Sequence, residues 1–213
     1  MNKSEKFVIT INRELGSGGR TVGRKLAEKL GVPFYDKALI KALKEKYHLS
    51  VEEIEKLKGR NHNWWEDFKR IVSIGKGMND SPYYQVEMGK EPDILTTDEL
   101  FKAETAILKG IAEGESCVIA GRSGFFVLRD MHNRLSILIQ ASMEHRIGRV
   151  MRRQNLSRQE AEEVIKKVDK MRENYINKYT GSSRYDTRNY DLVINMDGKT
   201  EEEVADLIIR YIG

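Results

Sequence analysis

Apolar residues in this chain alternate between strand-length runs and helical stripes. Phe7-Val8-Ile9-Thr10-Ile11 predicts a short buried strand, and Gly16-Ser17-Gly18-Gly19 follows it as a turn. From about residue 20 to 30, Val22, Leu26, Ala27 and Leu30 recur on one helical face, with Gly31 placed to end the helix. Val32-Pro33-Phe34-Tyr35 predicts a second short strand, and Asp36 is available to cap a helix after it. Further strands are expected at 116–120, 135–140 and 192–195. Ser50/Glu53, Thr96/Glu99, Ser157/Glu160 and Thr200/Glu203 have the spacing of capping boxes and mark helix starts. Strands and helices in this alternation predict an α/β fold with a parallel sheet wrapped by helices.

One stretch breaks the rhythm. Residues 58–93 hold Gly59, Trp64-Trp65, Gly75, Gly77, Asn79-Asp80, Pro82, Tyr83-Tyr84 and Pro92, which read as a helix plus a long irregular loop inserted between sheet units. Composition then narrows the class. The 213 residues are enough for one domain with a real core, and 17 Gly and 3 Pro are too few for a fibrous or linker-rich chain. The single cysteine, Cys117, excludes an internal disulfide framework and a Cys-rich zinc site, so a reducing cytoplasm is the expected location. His48, His62, His132 and His145 show no ligand spacing, and no metal ligands are assigned. No apolar run has the length of a membrane span, so no membrane partner is expected.

Net charge is +4 with a pI near 9.0. Ten basic and six acidic side chains fall within 142–178, an excess of four that equals the excess of the whole chain. Such clustering points to a phosphate ester as ligand, with nucleic acid the weakest of the partner readings because only the pI and the Trp pair support it.

The turn after the first strand is the most informative segment. A Gly-rich loop leading into a helix presents backbone N–H groups and the positive end of the helix dipole, which suit a phosphate. The usual phosphate loop reads G-x-x-x-x-G-K-[ST], with the lysine reaching the terminal phosphates. Here the run is Asn12-Arg13-Glu14-Leu15-Gly16-Ser17-Gly18-Gly19-Arg20-Thr21. In one register Arg20 stands for the lysine. In the other, which keeps the distance from the strand, Arg13 falls at the first glycine and Gly19 at the lysine. Arg20, at the helix start and directly before Thr21, is expected to supply the missing charge, with Arg13 as its competitor.

This run, with Gly23-Arg24-Lys25-Leu26-Ala27 and Pro33-Phe34-Tyr35-Asp36-Lys37, resembles the cytidylate kinase-like family of the P-loop nucleoside monophosphate kinases. Val118-Ile119-Ala120-Gly121-Arg122, Asp169-Lys170-Met171-Arg172 with Tyr175, Tyr179-Thr180-Gly181 and Asn189-Tyr190-Asp191 through Asn195 extend the likeness over nearly the whole chain, apart from the insert. The resemblance implies a P-loop NTPase fold: a five-stranded parallel sheet flanked by helices, with monophosphate-binding and lid insertions in a single domain over 1–213. The monophosphate-binding subdomain with its irregular insert would span 37–95 and the lid region 142–190. It further implies ATP and Mg²⁺, with Gly16, Ser17, Gly18, Gly19, Arg20 and Thr21 on the ATP phosphates. Thr21 would also help to hold Mg²⁺. Asp36 and Arg122 would bind the acceptor monophosphate. Arg149, Arg153 and Arg172 would act from the lid, and Asp169 would orient them. Cytidylate kinases of this pattern carry the P-loop lysine, an acidic residue where Ala120 stands and an aspartate where Ser123 stands.

The remaining signals are read from spacing. Arg122 follows a predicted strand, where side chains enter the ligand crevice of such sheets. Arg146, Arg149 and Arg153 lie three and four apart and share a helix face, whether as a charge-stabilising cluster or as a solvated one. Asp169 and Arg172 have i, i+3 spacing. The expected activity is transfer of the ATP γ-phosphate to a nucleoside monophosphate such as CMP. The rival reading is a nucleotide-binding regulatory module without turnover, favoured by the absent lysine and acids. A small-molecule nucleotide is the expected partner, and homo-oligomerisation stays open.

Overall fold

A computed structural model describes residues 1–36, 97–121 and 123–213. The insert at 58–93, the capping pairs Ser50/Glu53 and Thr96/Glu99, and Arg122 lie outside the described residues. The chain divides into two compact units, residues 37–114 and the rest. Of the first, the described part is helix α2, Thr97–Gly114.

The other unit contains the sheet. Strands β1 (Val8–Arg13), β2 (Phe34–Asp36), β3 (Cys117–Ala120), β4 (Arg134–Gln140) and β5 (Leu192–Asn195) pair in the order β2-β3-β1-β4-β5. Every pairing is parallel. Helix α1 (Gly19–Leu30) follows β1, the four-residue α3 (Gly124–Val127) follows β3, and α4 (Met143–Gln154) and α5 (Arg158–Thr180) follow β4. A 3₁₀ turn at Thr187–Asn189 leads to β5, and α6 (Glu201–Ile212) closes the chain.

Continuous apolar runs form these strands because both faces of a parallel sheet are covered. Phe7, Ile9 and Ile11 of the first run pack with Val22 and Leu26 of α1 and with Val204, Ile208 and Ile212 of α6. The face read from the spacing of Val22, Leu26 and Ala27 is the buried one. Gly31 ends α1 at φ +65°, its N–H donating back to the carbonyls of Ala27 and Glu28. A second cluster joins Leu15 of the Gly-rich turn to Ile147 and Val150 of α4 and Ala161 and Ile165 of α5. The turn is thus anchored by its own apolar residue.

One boundary differs from expectation. β1 runs on to Arg13, since Asn12 and Arg13 continue the register with β4. Asp36 is the last residue of β2 and its carboxylate meets Arg20, while the helix it is expected to cap lies outside the described residues. Among the described residues, no helix is long and apolar enough to cross a membrane.

The β1 position is decisive for the site. It is central, with β3 on one side and β4 on the other. The connections from neighbouring strands therefore diverge at its carboxyl end and open a crevice there.

Candidate nucleotide site at the carboxyl end of strand β1

The chain leaves β1 through a tight turn pinned to the neighbouring strand. Glu14 N–H donates to the Ile139 carbonyl at 3.2 Å. The buried Ser17 hydroxyl lies 3.0 Å from the Glu14 carbonyl and 3.1 Å from that of Ile139, so it faces the fold and shapes the loop. Gly16 has φ +83°, and a Cβ there would stand 2.8 Å from the Arg146 carbonyl oxygen. Gly18, at φ +84°, is the N-cap of α1. It has no side-chain oxygen to cover the first N–H groups, and the first turn carries no acidic residue. Uncapped donors and the positive end of the dipole make this end an anion acceptor.

Arginines surround that end. Arg149 and Arg153 of α4 both donate to the Thr21 hydroxyl, at 3.2 and 3.4 Å. Arg149 also pairs with Glu201, whose Oε1 would lie 3.4 Å from a Cβ on Gly18. Burial pushes the Glu201 carboxyl up, but its own backbone N–H and Arg149 outweigh this and hold it below the usual range. Arg20 Nε donates to Asp36 at 2.5 Å, which ties its guanidinium to the end of β2. Arg13 takes a different path. A Cβ on Gly19 would stand 2.6 Å from Arg13 Cβ, and one on Gly121 would stand 3.1 Å from Arg13 Cζ. The Arg13 side chain therefore runs over Gly19 and ends against Gly121, just past β3.

Behind the loop lies a buried ionic cluster centred on Asp169. Its Oδ1 accepts the Leu15 N–H at 3.1 Å, while Arg146 pairs with Asp169 and donates Nε to the Leu15 carbonyl at 2.8 Å. Arg146 also lies 3.3 Å from Glu14. Arg172 and Arg184 each approach Asp169 Oδ1 at 3.7 Å. Arg184 is fully buried and donates to the Arg13 carbonyl. Its own carbonyl accepts from the Tyr190 hydroxyl at 2.7 Å. Buried charges of both signs are tolerated here because they compensate one another, although Arg184 Nε and Nη1 make no hydrogen bond among the described residues.

A small cleft at the carboxyl ends of β1 and β3 is lined by Thr10, Asn12, Gly121, Ser123 and Phe125. Ser123 sits at φ +55°, and its buried hydroxyl has no hydrogen-bond partner among the described residues.

The expected residues thus separate into groups. Gly16, Ser17, Gly18, Gly19 and Thr21 form one loop and helix start, and Arg149 and Arg153 converge on it. Asp169 and Arg172 lie together behind the loop, with Arg146. Arg20 and Asp36 pair with each other at the end of β2. Sequence reading missed Arg184 and Glu14, members of the ionic cluster. Arg184 falls in the polar run Ser182-Ser183-Arg184-Tyr185, where no periodicity marks burial.

A family model described as the cytidylate kinase-like family matches residues 8–198. A cytidylate kinase from Sulfolobus acidocaldarius is 26% identical over 206 residues, 96% of this chain and 93% of that protein. Two longer curated relatives match over a part of their length. The chain spans 26% of a uronate isomerase from Corynebacterium glutamicum, 28% identical over 66% of this chain. It spans 36% of an S-adenosylmethionine-dependent nucleotide dehydratase from Lacinutrix mariniflava, 27% identical over 97% of this chain. Among solved structures, an uncharacterized protein from Eubacterium ventriosum superposes with a TM-score of 0.65 at 27% identity, covering 97% of this chain and 98% of that one. A shikimate kinase from Acinetobacter baumannii gives a TM-score of 0.52 at 15% identity over 99% of this chain and 94% of its own, a likeness of fold. With the Gly-capped helix after β1 and the match over 8–198, the chain belongs to the cytidylate kinase-like family and has the P-loop NTPase fold.

Proposed function

We propose that this protein is an ATP-dependent phosphotransferase that moves the γ-phosphate to a nucleoside monophosphate, with CMP the first acceptor to test. The observation that carries the reading is the open N-terminus of α1, with Arg149 and Arg153 meeting at Thr21 in its first turn. Backbone N–H groups of Gly16, Gly18, Gly19 and Arg20 bind the triphosphate, and Ser17 and Thr21, whose N–H groups donate within the loop, shape it. Arg149 and Arg153 stabilise charge that grows on the phosphoryl oxygens during transfer, a role that needs positioning rather than covalent chemistry. Asp169 is a positioning residue: it holds the Leu15 N–H and the Arg146 guanidinium, and so fixes the loop. Arg172 takes its place beside it. Asp36, held by Arg20, and Arg122 serve the acceptor side.

Mg²⁺, when bound with ATP, neutralises phosphate charge. The Thr21 hydroxyl is a poor ligand for it as arranged, because two guanidinium groups donate to that oxygen. Among the described residues, no three His, Cys, Asp or Glu side chains cluster as a metal site. The ion would therefore be carried by the triphosphate itself, as is common for Mg²⁺.

A second reading, a nucleotide-binding regulatory module without turnover, is favoured by Gly19 at the position of the usual lysine. One experiment separates the two. Purified protein is incubated with MgATP and, in turn, CMP, other nucleoside monophosphates and shikimate, and ADP formation is followed with ATP binding measured in parallel. Acceptor-dependent ADP release, highest with CMP, is the expected result. Binding of MgATP without transfer to any acceptor would replace the kinase reading with the regulatory one.

A further inference from the structure

The loop lacks a lysine, and the path of one side chain indicates what replaces it. In the ordinary motif the first position is glycine and the seventh is lysine, whose side chain runs to the β- and γ-phosphates. Counted from the end of β1, the first position here is Arg13 and the seventh is Gly19, the residue that opens α1 directly after its N-cap Gly18. Both differ from the motif, and they differ in opposite senses. A Cβ on Gly19 would stand 2.6 Å from Arg13 Cβ and 3.2 Å from Arg13 Cγ. The first is a separation that real Cβ atoms essentially never show and the second is tighter than ordinary contact, so a side chain on Gly19 and the one on Arg13 compete for one channel. In the usual loop the helix start fills that channel. In this protein the strand end fills it.

We infer that Arg13 is the phosphate-binding cation of this site, its guanidinium delivered from the end of β1 through the channel that a lysine at position 19 would occupy. The inference rests on the phosphotransferase reading above. Three further observations support it. The guanidinium ends against Gly121, a glycine at φ +82° that leaves room at the mouth of the cleft lined by Asn12 and Ser123. The Arg13 backbone is held on both sides, its N–H donating to Asn12 Oδ1 at 2.9 Å and its carbonyl accepting from the buried Arg184. The rival cation, Arg20, is turned to Asp36 at the end of β2. An arginine at Arg13 offers a planar fork to two phosphate oxygens where lysine offers a single point of charge. The ligand class is the β- and γ-phosphates of a nucleoside triphosphate.

The test is MgATP binding by isothermal titration, with the melting temperature of each unliganded variant as the folding control. Wild type is compared with Arg13→Gln, Arg13→Lys, Arg20→Gln, Arg13→Gly and the swap Arg13→Gly with Gly19→Lys. Arg13→Gln keeps the length of the side chain and removes its charge, and affinity should fall at least about tenfold, the loss of one hydrogen bond to a charged group. Arg13→Lys should retain part of it, and Arg20→Gln should be milder than Arg13→Gln. The swap restores the ordinary motif and should bind MgATP more tightly than Arg13→Gly alone. Undiminished affinity in Arg13→Gln, or a swap no better than Arg13→Gly, overturns the assignment while leaving the phosphotransferase reading intact. A melting temperature lowered in Arg13→Gln with affinity unchanged does the same, since Arg13 would then be a packing residue. Failure of wild type to bind MgATP at all overturns both.

Discussion

Helices α1 and α6 begin side by side, yet their N-termini are built in opposite ways. At α6 the Thr200 hydroxyl accepts the Glu203 N–H, the Glu203 carboxylate accepts the Thr200 N–H, and Glu201, Glu202 and Glu203 occupy the first turn. The dipole and the orphan donors are satisfied within the chain. At α1 the N-cap is Gly18 and the first turn has no acid. Helices α4 and α5 follow the α6 pattern, capped by Ser142 and Ser157. The difference teaches where stability is retained and where binding capacity is reserved. A self-capped end needs nothing further. An open end must be supported from elsewhere, and here the support is the Asp169 cluster with Leu15 in its apolar pocket.

The largest expected effect removes that support. Asp169→Ala leaves the buried Arg184 charge without its paired carboxylate and Arg146 with Glu14 alone, and should cost about 3–5 kcal/mol. Urea denaturation checks it, and a loss below about 1 kcal/mol would mean that the loop is held by packing alone. Next comes the backbone of the open end itself. Gly16→Ala meets both a left-handed φ and the Arg146 carbonyl, and should destabilise by about 2–3 kcal/mol. Gly31→Ala has a similar φ with nothing within 4 Å, and should cost only about 1 kcal/mol. Equal losses at the two glycines would remove the close approach from the account.

The capped ends should respond more weakly and without functional consequence. Thr200→Ala and Ser157→Ala should each cost about 1 kcal/mol in chemical denaturation and leave MgATP affinity unchanged. The smallest effect joins the two helices. Glu202 of α6 pairs with Lys25 and Lys29 of α1, at 2.7 and 2.5 Å. The Lys25 and Lys29 hydrogen bonds lower its carboxyl from 4.5 to about 2. Its contribution is therefore present above pH 4.5 and is lost as pH falls through about 2. The melting temperatures of wild type and Glu202→Gln should differ slightly at neutral pH and low salt, and converge toward pH 2. A gap that widens on acidification would contradict the pairing.

How far this arrangement was legible in the sequence depended on whether each signal was local. Capping boxes at Ser157/Glu160 and Thr200/Glu203 are complete within four residues, and both form. The strand runs and the buried face of α1 follow from periodicity in the same way. Spacing placed Arg146, Arg149 and Arg153 on one face, but it could not show that Arg146 is buried against Asp169 while the other two reach Thr21. Arg20 and Arg13 were competing candidates because the direction of each side chain is set by tertiary neighbours, Asp36 for one and Gly19 and Gly121 for the other. Arg184 gave no signal at all: its burial comes from the chain folding back over the end of β1 after α5. Helix α3 is four residues long, too short to show a period.

The central claim is that the open end of α1 holds the triphosphate while the capped ends do not. Backbone amide shifts of the isotope-labelled protein, recorded during titration with MgATP, test it directly. The account predicts saturable shifts at the Gly16, Gly18, Gly19 and Arg20 amides, with those of Glu160 and Glu203 unmoved at the same concentrations. Shifts at Glu160 and Glu203 as large as those in the loop, or binding that leaves the loop amides in place, would contradict it.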